Sequence, residues 1–349
     1  MRFFLMISSF FVIFFVSAAD DSRKLRIVTS LFPLYDFCRE IGGDKVTVSM
    51  LLPPGVEAHS FSPTPQDVSL INSADLFIYL SDCMEPWMGD FRKNVLSRVV
   101  VLEAGRGMAT LTKTEHLHCD DGCKSHNHDS STLGKDPHVW LDFGNAVKMV
   151  DLIAVAMSKI SPSNRDFFLM RAKSYDSRLM ELDARTRREL SKCKLHTIIS
   201  GGHFAFGYYA KRYGLRNVSP YVGFSPDAEP SPSSMAMLIE TLRSQRQSTI
   251  FCEELLNDRV ASIISDETGA TISLLHAAHN LTKEEFERGD TFISIMNGNL
   301  ERLTSALREP SDSLSRKSSK RNVGMIVLTA IIAIVALSIG ALFFSKRRT

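Results

Sequence analysis

The chain has no excess of charge of either sign: 41 lysines and arginines face 39 aspartates and glutamates in 349 residues, a formal balance of +2. Its basic residues are scattered or gathered toward the C-terminal end, so there is no stripe suited to a nucleic-acid backbone. Two motifs are also missing. Without a Walker-type phosphate loop, any nucleotide-driven step falls to partner proteins, and without a His-Glu-x-x-His segment a familiar helical zinc-hydrolase arrangement is excluded. No cysteine follows Ser17-Ala18-Ala19, which removes a bacterial lipid anchor at that point.

What is present begins with the two ends. Residues 1–19 carry Arg2, an apolar run and a small-residue stretch before Asp20, the pattern of a secretory signal peptide. Residues 323–344 hold no charged side chain and are about the length needed to cross a bilayer. Lys346-Arg347-Arg348 follow, so the expectation is an exported body, a polar Ser-rich tether over 309–322, a transmembrane helix over 323–344 and a basic cytoplasmic tail over 345–349. All six cysteines fall in the exported body, where disulfides are permitted. Cys38 and Cys83 fall in the first half and Cys193 and Cys252 in the second, so the expectation is one bridge per lobe, with Cys119 and Cys123 paired or free for metal, although an even count does not assign the connectivity.

The body is long enough for two lobes of ordinary size. Strand-like and helix-like stretches alternate, which predicts an α/β fold with a largely parallel sheet in each lobe. The first lobe, 20–143, reads as strands at 25–30, 46–51 and 76–80 with helices at 34–41 and 65–72. The region 144–192 reads as helical, 146–160 and then 165–192, the second either one long backbone helix between lobes or a two-helix hairpin. The second lobe, 193–308, repeats the grammar with strands at 197–200, 249–252 and 270–275 and helices at 205–213, 233–245, 258–268 and 292–309.

Three histidines stand beyond strands in stiffened loops: His59 among Pro53, Pro54, Pro63 and Pro65, His138 after Asp136-Pro137, and His203 after Gly201-Gly202. Neutral imidazoles gathered from distant loops are a usual way to build a zinc site. A second tract, Glu115-His116-Leu117-His118-Cys119 with Cys123, His126 and His128, has the composition of an accessory metal-binding loop over 115–130.

Five blocks taken together, Leu51–Val68, Asp136–Asp142, His203–Tyr208, Asp227–Pro232 and Ile250–Glu254, resemble the zinc or manganese solute-binding proteins of ABC transporters, in the family's order across residues 25–305. The resemblance implies two α/β lobes joined by a long helix, with one divalent metal in the cleft between them, held by His59, His138 and His203. It further implies a monomer that delivers the metal to a membrane permease driven by a cytoplasmic ATPase, with the loop at His116, His118, His126 and His128 as collector or sensor. The family's fourth ligand is an Asp in a Leu-Asp-Pro-Leu-like stretch. Here the segment reads Leu275-His276-Ala277-Ala278-His279, so His276 takes the acidic position, with His279, Glu57 or water as alternatives. A three- or four-imidazole set suits Zn²⁺ better than Mn²⁺. Two other classes stay open at this point: a zinc hydrolase, if the fourth position is left to water, and a metal-binding surface adhesin.

Overall fold

In a computed structural model, residues 23–111, 135–220, 230–255 and 259–311 are described. The expected tether, transmembrane segment and basic tail beyond Ser311, the signal sequence and the His-rich tract all lie outside the described residues. Among the described residues, no helix is long and apolar enough to cross a membrane.

The first lobe runs β1 (Leu25–Thr29), α1 (Phe32–Gly42), β2 (Val46–Met50), α2 (Pro65–Ser73), β3 (Leu76–Tyr79), α3 (Met88–Phe91) and β4 (Val100–Glu103). Its four strands form one wholly parallel sheet in the order β2-β1-β3-β4. β3 is buried throughout, as a central parallel strand covered on both faces should be. Phe77 and Tyr79 meet Ile71, Met88 and Phe91 on one face, while Leu76 and Ile78 face α1 and its neighbours on the other. Strand β4 has no counterpart among the expected strands. It is an edge strand whose Val100 and Val101 are both exposed, so it shows no alternation to read.

The helical middle is α4 (Phe143–Ile160) and α5 (Arg165–Leu190), joined by a 3₁₀ turn at Pro162–Asn164. Asp142 caps α4 by accepting the Asn145 N–H at 2.9 Å. α5 is a single unbroken helix, so the hairpin alternative is not realised within 165–190. With 26 residues it spans about 39 Å at 1.5 Å per residue. Phe168, Ala172, Tyr175, Leu179, Leu182, Thr186 and Leu190 are buried at helical spacing along one face. That face packs on α4 and α1 and on α10 (Phe292–Leu307), so one helix braces elements from both ends of the chain.

The second lobe runs β5 (Thr197–Ile199), α6 (Gly207–Tyr213), β6 (Arg216–Val218), α7 (Pro232–Ser244), β7 (Thr249–Cys252), α8 (Arg259–Thr268), β8 (Thr271–Leu274), α9 (Lys283–Arg288) and α10. The pairs β5-β6 and β7-β8 are parallel, and a parallel bridge between Ser200 and Phe251 joins them edge to edge. The resulting order is β6-β5-β7-β8. Ile199, Leu238, Leu242, Ile250, Val260 and Ile264 pack its outer face.

The expected disulfides are not formed. Cys38 lies within the core on α1 and Cys83 sits on an exposed loop, where its thiol donates to the Lys135 carbonyl at 3.1 Å; both are free thiols. Cys193 is likewise a free thiol, so no Cys193–Cys252 bridge exists, and Cys252 instead points its sulfur at the Ser273 carbonyl. Cys38 packs instead as a small apolar residue in the core, and burial pushes its thiol pKa up.

The lobes are pinned behind the helices by Asp36 of α1, whose buried Oδ2 accepts from the Phe292 N–H at 2.9 Å and from the Tyr175 hydroxyl at 3.2 Å. Burial raises the Asp36 pKa to about 6, against the hydrogen bond from Phe292. A carboxyl raised in the folded state contributes stability that is full below its unfolded pKa near 3.8 and is lost as pH rises through about 6. Asp36→Asn is therefore expected to flatten the change in metal-free melting temperature between pH 5 and pH 7. An unchanged slope would show that this carboxyl does not couple to folding.

Candidate metal centre

The loop after β2 turns at Gly55, which has φ +86 and donates its N–H to the Leu281 carbonyl at 2.7 Å. Glu57 then accepts from the His59 and Ser60 backbone N–H groups at 2.9 and 2.8 Å, setting the direction of His59. Both oxygens of Glu57 are thereby occupied in shaping the turn, which removes it as the simplest fourth ligand.

His138 is fully buried and gripped twice by Asp136 Oδ1, at its backbone N–H (2.9 Å) and at Nδ1 (2.7 Å). The Tyr208 hydroxyl donates to the Asp136 carbonyl at 2.9 Å and so ties this loop to α6. Arg212 of the same helix pairs with Asp142 and Asp183, at 3.1 and 2.6 Å.

His203 follows Gly201, where a Cβ would stand 2.6 Å from that of Ala261, so only glycine allows the loop to pass α8 that closely. Its Nδ1 lies 2.9 Å from Glu253 Oε2, and Glu253 Oε1 accepts the Ala205 N–H at 2.6 Å. Burial opposes charge on His203, but Glu253 outweighs it and raises the pKa. In both buried histidines the carboxylate accepts a hydrogen bond from Nδ1–H and leaves Nε2 with its lone pair, the outer-shell device that orients metal ligands.

Those lone pairs converge. The rings of His59, His138 and His203 form a near-equilateral triangle, with centroids 5.2, 5.2 and 5.0 Å apart. One ligand nitrogen from each lies within 4.8 Å of the others. His59 Nε2 and His138 Nε2 are 3.2 Å apart, whereas two nitrogens at tetrahedral Zn–N distances of about 2.05 Å would stand about 3.3 Å apart. Burial, and then the neighbouring imidazoles, lower the His59 pKa to about 2, so the ring is held neutral and able to donate. His203 Nε2 has no hydrogen-bond partner.

His276, expected to close the shell, is placed elsewhere. Its Nδ1 accepts the Ala278 N–H at 2.9 Å and its Nε2 faces Glu285 Oε2 at 3.3 Å. Burial opposes a charge on this ring, and Glu254 and Glu285 outweigh it, driving the pKa toward about 9. The Ala278 amide aims its own hydrogen at Nδ1, though, and Glu254 Oε1, 3.1 Å from that nitrogen, makes no hydrogen bond. The Ala278 hydrogen bond, the shorter of the two contacts at Nδ1, calls for the neutral ring with its proton on Nε2, the form that the two carboxylates oppose.

His279 comes nearer, although it lies outside the group of three whose ligand nitrogens stand within 4.8 Å of one another. It is buried, its ring is 6.1 Å from that of His59, and neither ring nitrogen has a hydrogen-bond partner. Its position follows from Ala278, a non-glycine residue at φ +57, a backbone that costs roughly 1–2 kcal/mol. Across this left-handed residue the two rings flank Glu254, whose Oε1 lies 3.1 Å from His276 Nδ1 and 3.8 Å from His279 Nδ1. No hydrophobic pattern reveals this turn, and nothing in Ile250–Glu254 as a sequence shows that Glu253 and Glu254 stand behind the histidines.

The sequence profile of a family described as ZnuA, the periplasmic component A of a zinc-uptake complex, matches residues 27–306. The chain belongs to that family. Among ZnuA relatives, the high-affinity zinc uptake system protein of Bacillus subtilis is 36% identical over 292 residues, covering 83% of this chain and 90% of the relative. The zinc-binding protein AdcA of Streptococcus pyogenes is 34% identical over 287 residues, covering 80% of this chain but 55% of AdcA, so the chain spans about half the length of that relative. The Zn(II)-bound ZnuA-like domain of Streptococcus pneumoniae AdcA superimposes with a TM-score of 0.67 at 31% identity, over 82% of this chain and 100% of that one. This chain has two parallel-sheet lobes and a long helix, with the histidine cluster where the lobes meet.

Proposed function

We propose that this chain captures one Zn²⁺ outside the cytoplasmic membrane and hands it to an ABC permease whose cytoplasmic ATPase supplies the energy. The ligand set is His59, His138, His203 and His279, replacing the expected His276. The observation that carries this reading is the convergence of three histidines whose orientations are fixed by Glu57, Asp136 and Glu253. A shell of four imidazoles leaves no position for a reactive water, which favours capture over hydrolysis. It also lacks the carboxylates that Mn²⁺ prefers. The uncharged run 323–344 with its basic flank supports a C-terminal membrane anchor for the body, and the tract at His116, His118, His126 and His128 supports an accessory, weaker site.

Metal analysis of the full-length protein tests this. One tightly held equivalent of zinc is expected in the parent chain and in a variant lacking residues 112–134, and none in His59→Ala. Loss of the tight equivalent on deleting the tract would move the site to the tract and overturn the assignment.

A further inference from the structure

The segment between β8 and α9 is held at nearly every polar group. Asn299 of α10 clamps the His276 backbone from both sides, its Oδ1 accepting the N–H at 2.9 Å and its Nδ2 donating to the carbonyl at 2.8 Å. Ala277 donates to Glu254 Oε2 at 2.7 Å and accepts from Trp140 Nε1 at 2.8 Å. His279 accepts the Phe32 N–H through its carbonyl at 3.1 Å, and Asn280 Nδ2 reaches the Pro53 and Val56 carbonyls at 2.8 and 2.7 Å. Inside this frame the strained residue is Ala278, and the group that satisfies its N–H is the His276 ring. The ring is fixed in turn by Glu285, whose Oε2 also accepts the Thr282 N–H at 2.9 Å in the capping box of α9.

We propose that His276 is a positioning residue: its Nδ1 holds the Ala278 N–H, stabilises the left-handed turn and so aims His279 at the metal. This rests on the reading of His279 as the fourth ligand. The chemistry required is an acceptor on the γ-substituent of residue 276 within reach of the N–H two residues on, the geometry of an Asx-type turn. Asparagine has that acceptor at similar reach. Glutamine carries it one carbon too far, and leucine has none. Glycine at 278 adopts the left-handed backbone without assistance.

The test measures zinc affinity of the metal-stripped full-length chain by chelator competition, with the visible absorption of the Co²⁺-loaded form as a report on four-coordinate geometry. His276→Leu and His276→Gln are expected to weaken zinc binding by about tenfold, the loss that follows from an unsupported left-handed residue. His276→Asn is expected to bind like the parent, and Ala278→Gly in the His276→Leu background to restore affinity to within about threefold of Ala278→Gly alone. If His276→Asn is as weak as His276→Leu, or if Ala278→Gly does not reduce the defect, the positioning role is overturned. Should His276→Leu fail to fold, the comparison of Asn with Gln decides. His279→Ala runs in parallel: if it leaves zinc affinity and the Co²⁺ spectrum unchanged, the ligand reading itself has failed, whatever residue 276 does.

Discussion

His138→Ala is expected to weaken zinc binding by two to three orders of magnitude, and Asp136→Asn by a smaller but clear factor. Apparent binding free energies at four-ligand zinc sites run to about 10–16 kcal/mol, so one ligand's share is on the order of 3–4 kcal/mol, about a hundred- to a thousandfold. His138 should show the full effect because it cannot be replaced by movement: it is completely buried, and Asp136 grips it at both its backbone and its ring. Outer-shell partners of this kind are worth about 10–100-fold. Asp136→Asn keeps an acceptor in place but loses the negative charge that favours the Nδ1 proton, so the lower end of that range is expected. Titration against a zinc chelator at fixed pH checks both values. Parent-like affinity in His138→Ala would mean that the three-ring cluster is not where the metal sits.

The fold was legible where local patterns are strong. Of the fourteen segments expected as strands or helices, the parallel strands β1, β2 and β3 with their intervening helices lie within a residue or two of the expected bounds. The elements missed share a cause. α3 has four residues, β4 has two adjacent exposed valines, β6 has only three residues, and α9 is a six-residue helix without buried positions, so none carries a period long enough to see. The metal site was legible as residue types in stiffened loops, because prolines and glycines around His59, His138 and His203 announce that those loops do not drift. Which of His276 and His279 stands nearer the three-ring cluster is not legible, because Ala278 between them takes a left-handed backbone. An alanine gives no signal for a left-handed turn. The disulfide expectation failed for a related reason: pairing is set by where Cys38, Cys83 and Cys193 lie in space, and an even count of thiols carries no information about that.

Trp140→Ala is expected to cause the largest loss of stability of any single change near the site. Trp140 is completely buried at the junction of the 3₁₀ turn after His138 with the segment that carries His279. Truncating a buried tryptophan costs about 3–5 kcal/mol, against a total of about 5–15 kcal/mol for a folded protein. For a body of this size that corresponds to a fall in melting temperature on the order of 10 °C. Trp140→Phe separates packing from hydrogen bonding. It keeps most of the ring but leaves the buried Ala277 carbonyl without the indole N–H that donates to it at 2.8 Å, a loss of about 1–3 kcal/mol. Because Ala277 precedes the left-handed Ala278, this milder variant should also lose zinc affinity. Phe168→Leu, which alters a residue on α5 just as buried, should lose stability alone. Calorimetry with and without excess zinc reads both quantities, since a ligand at a thousand times its Kd adds about 4 kcal/mol to the folded state. A zinc-induced rise in melting temperature that is smaller in Trp140→Phe than in Phe168→Leu is the expected result. Equal rises would show that Trp140 supports the fold without reaching the metal through Ala277.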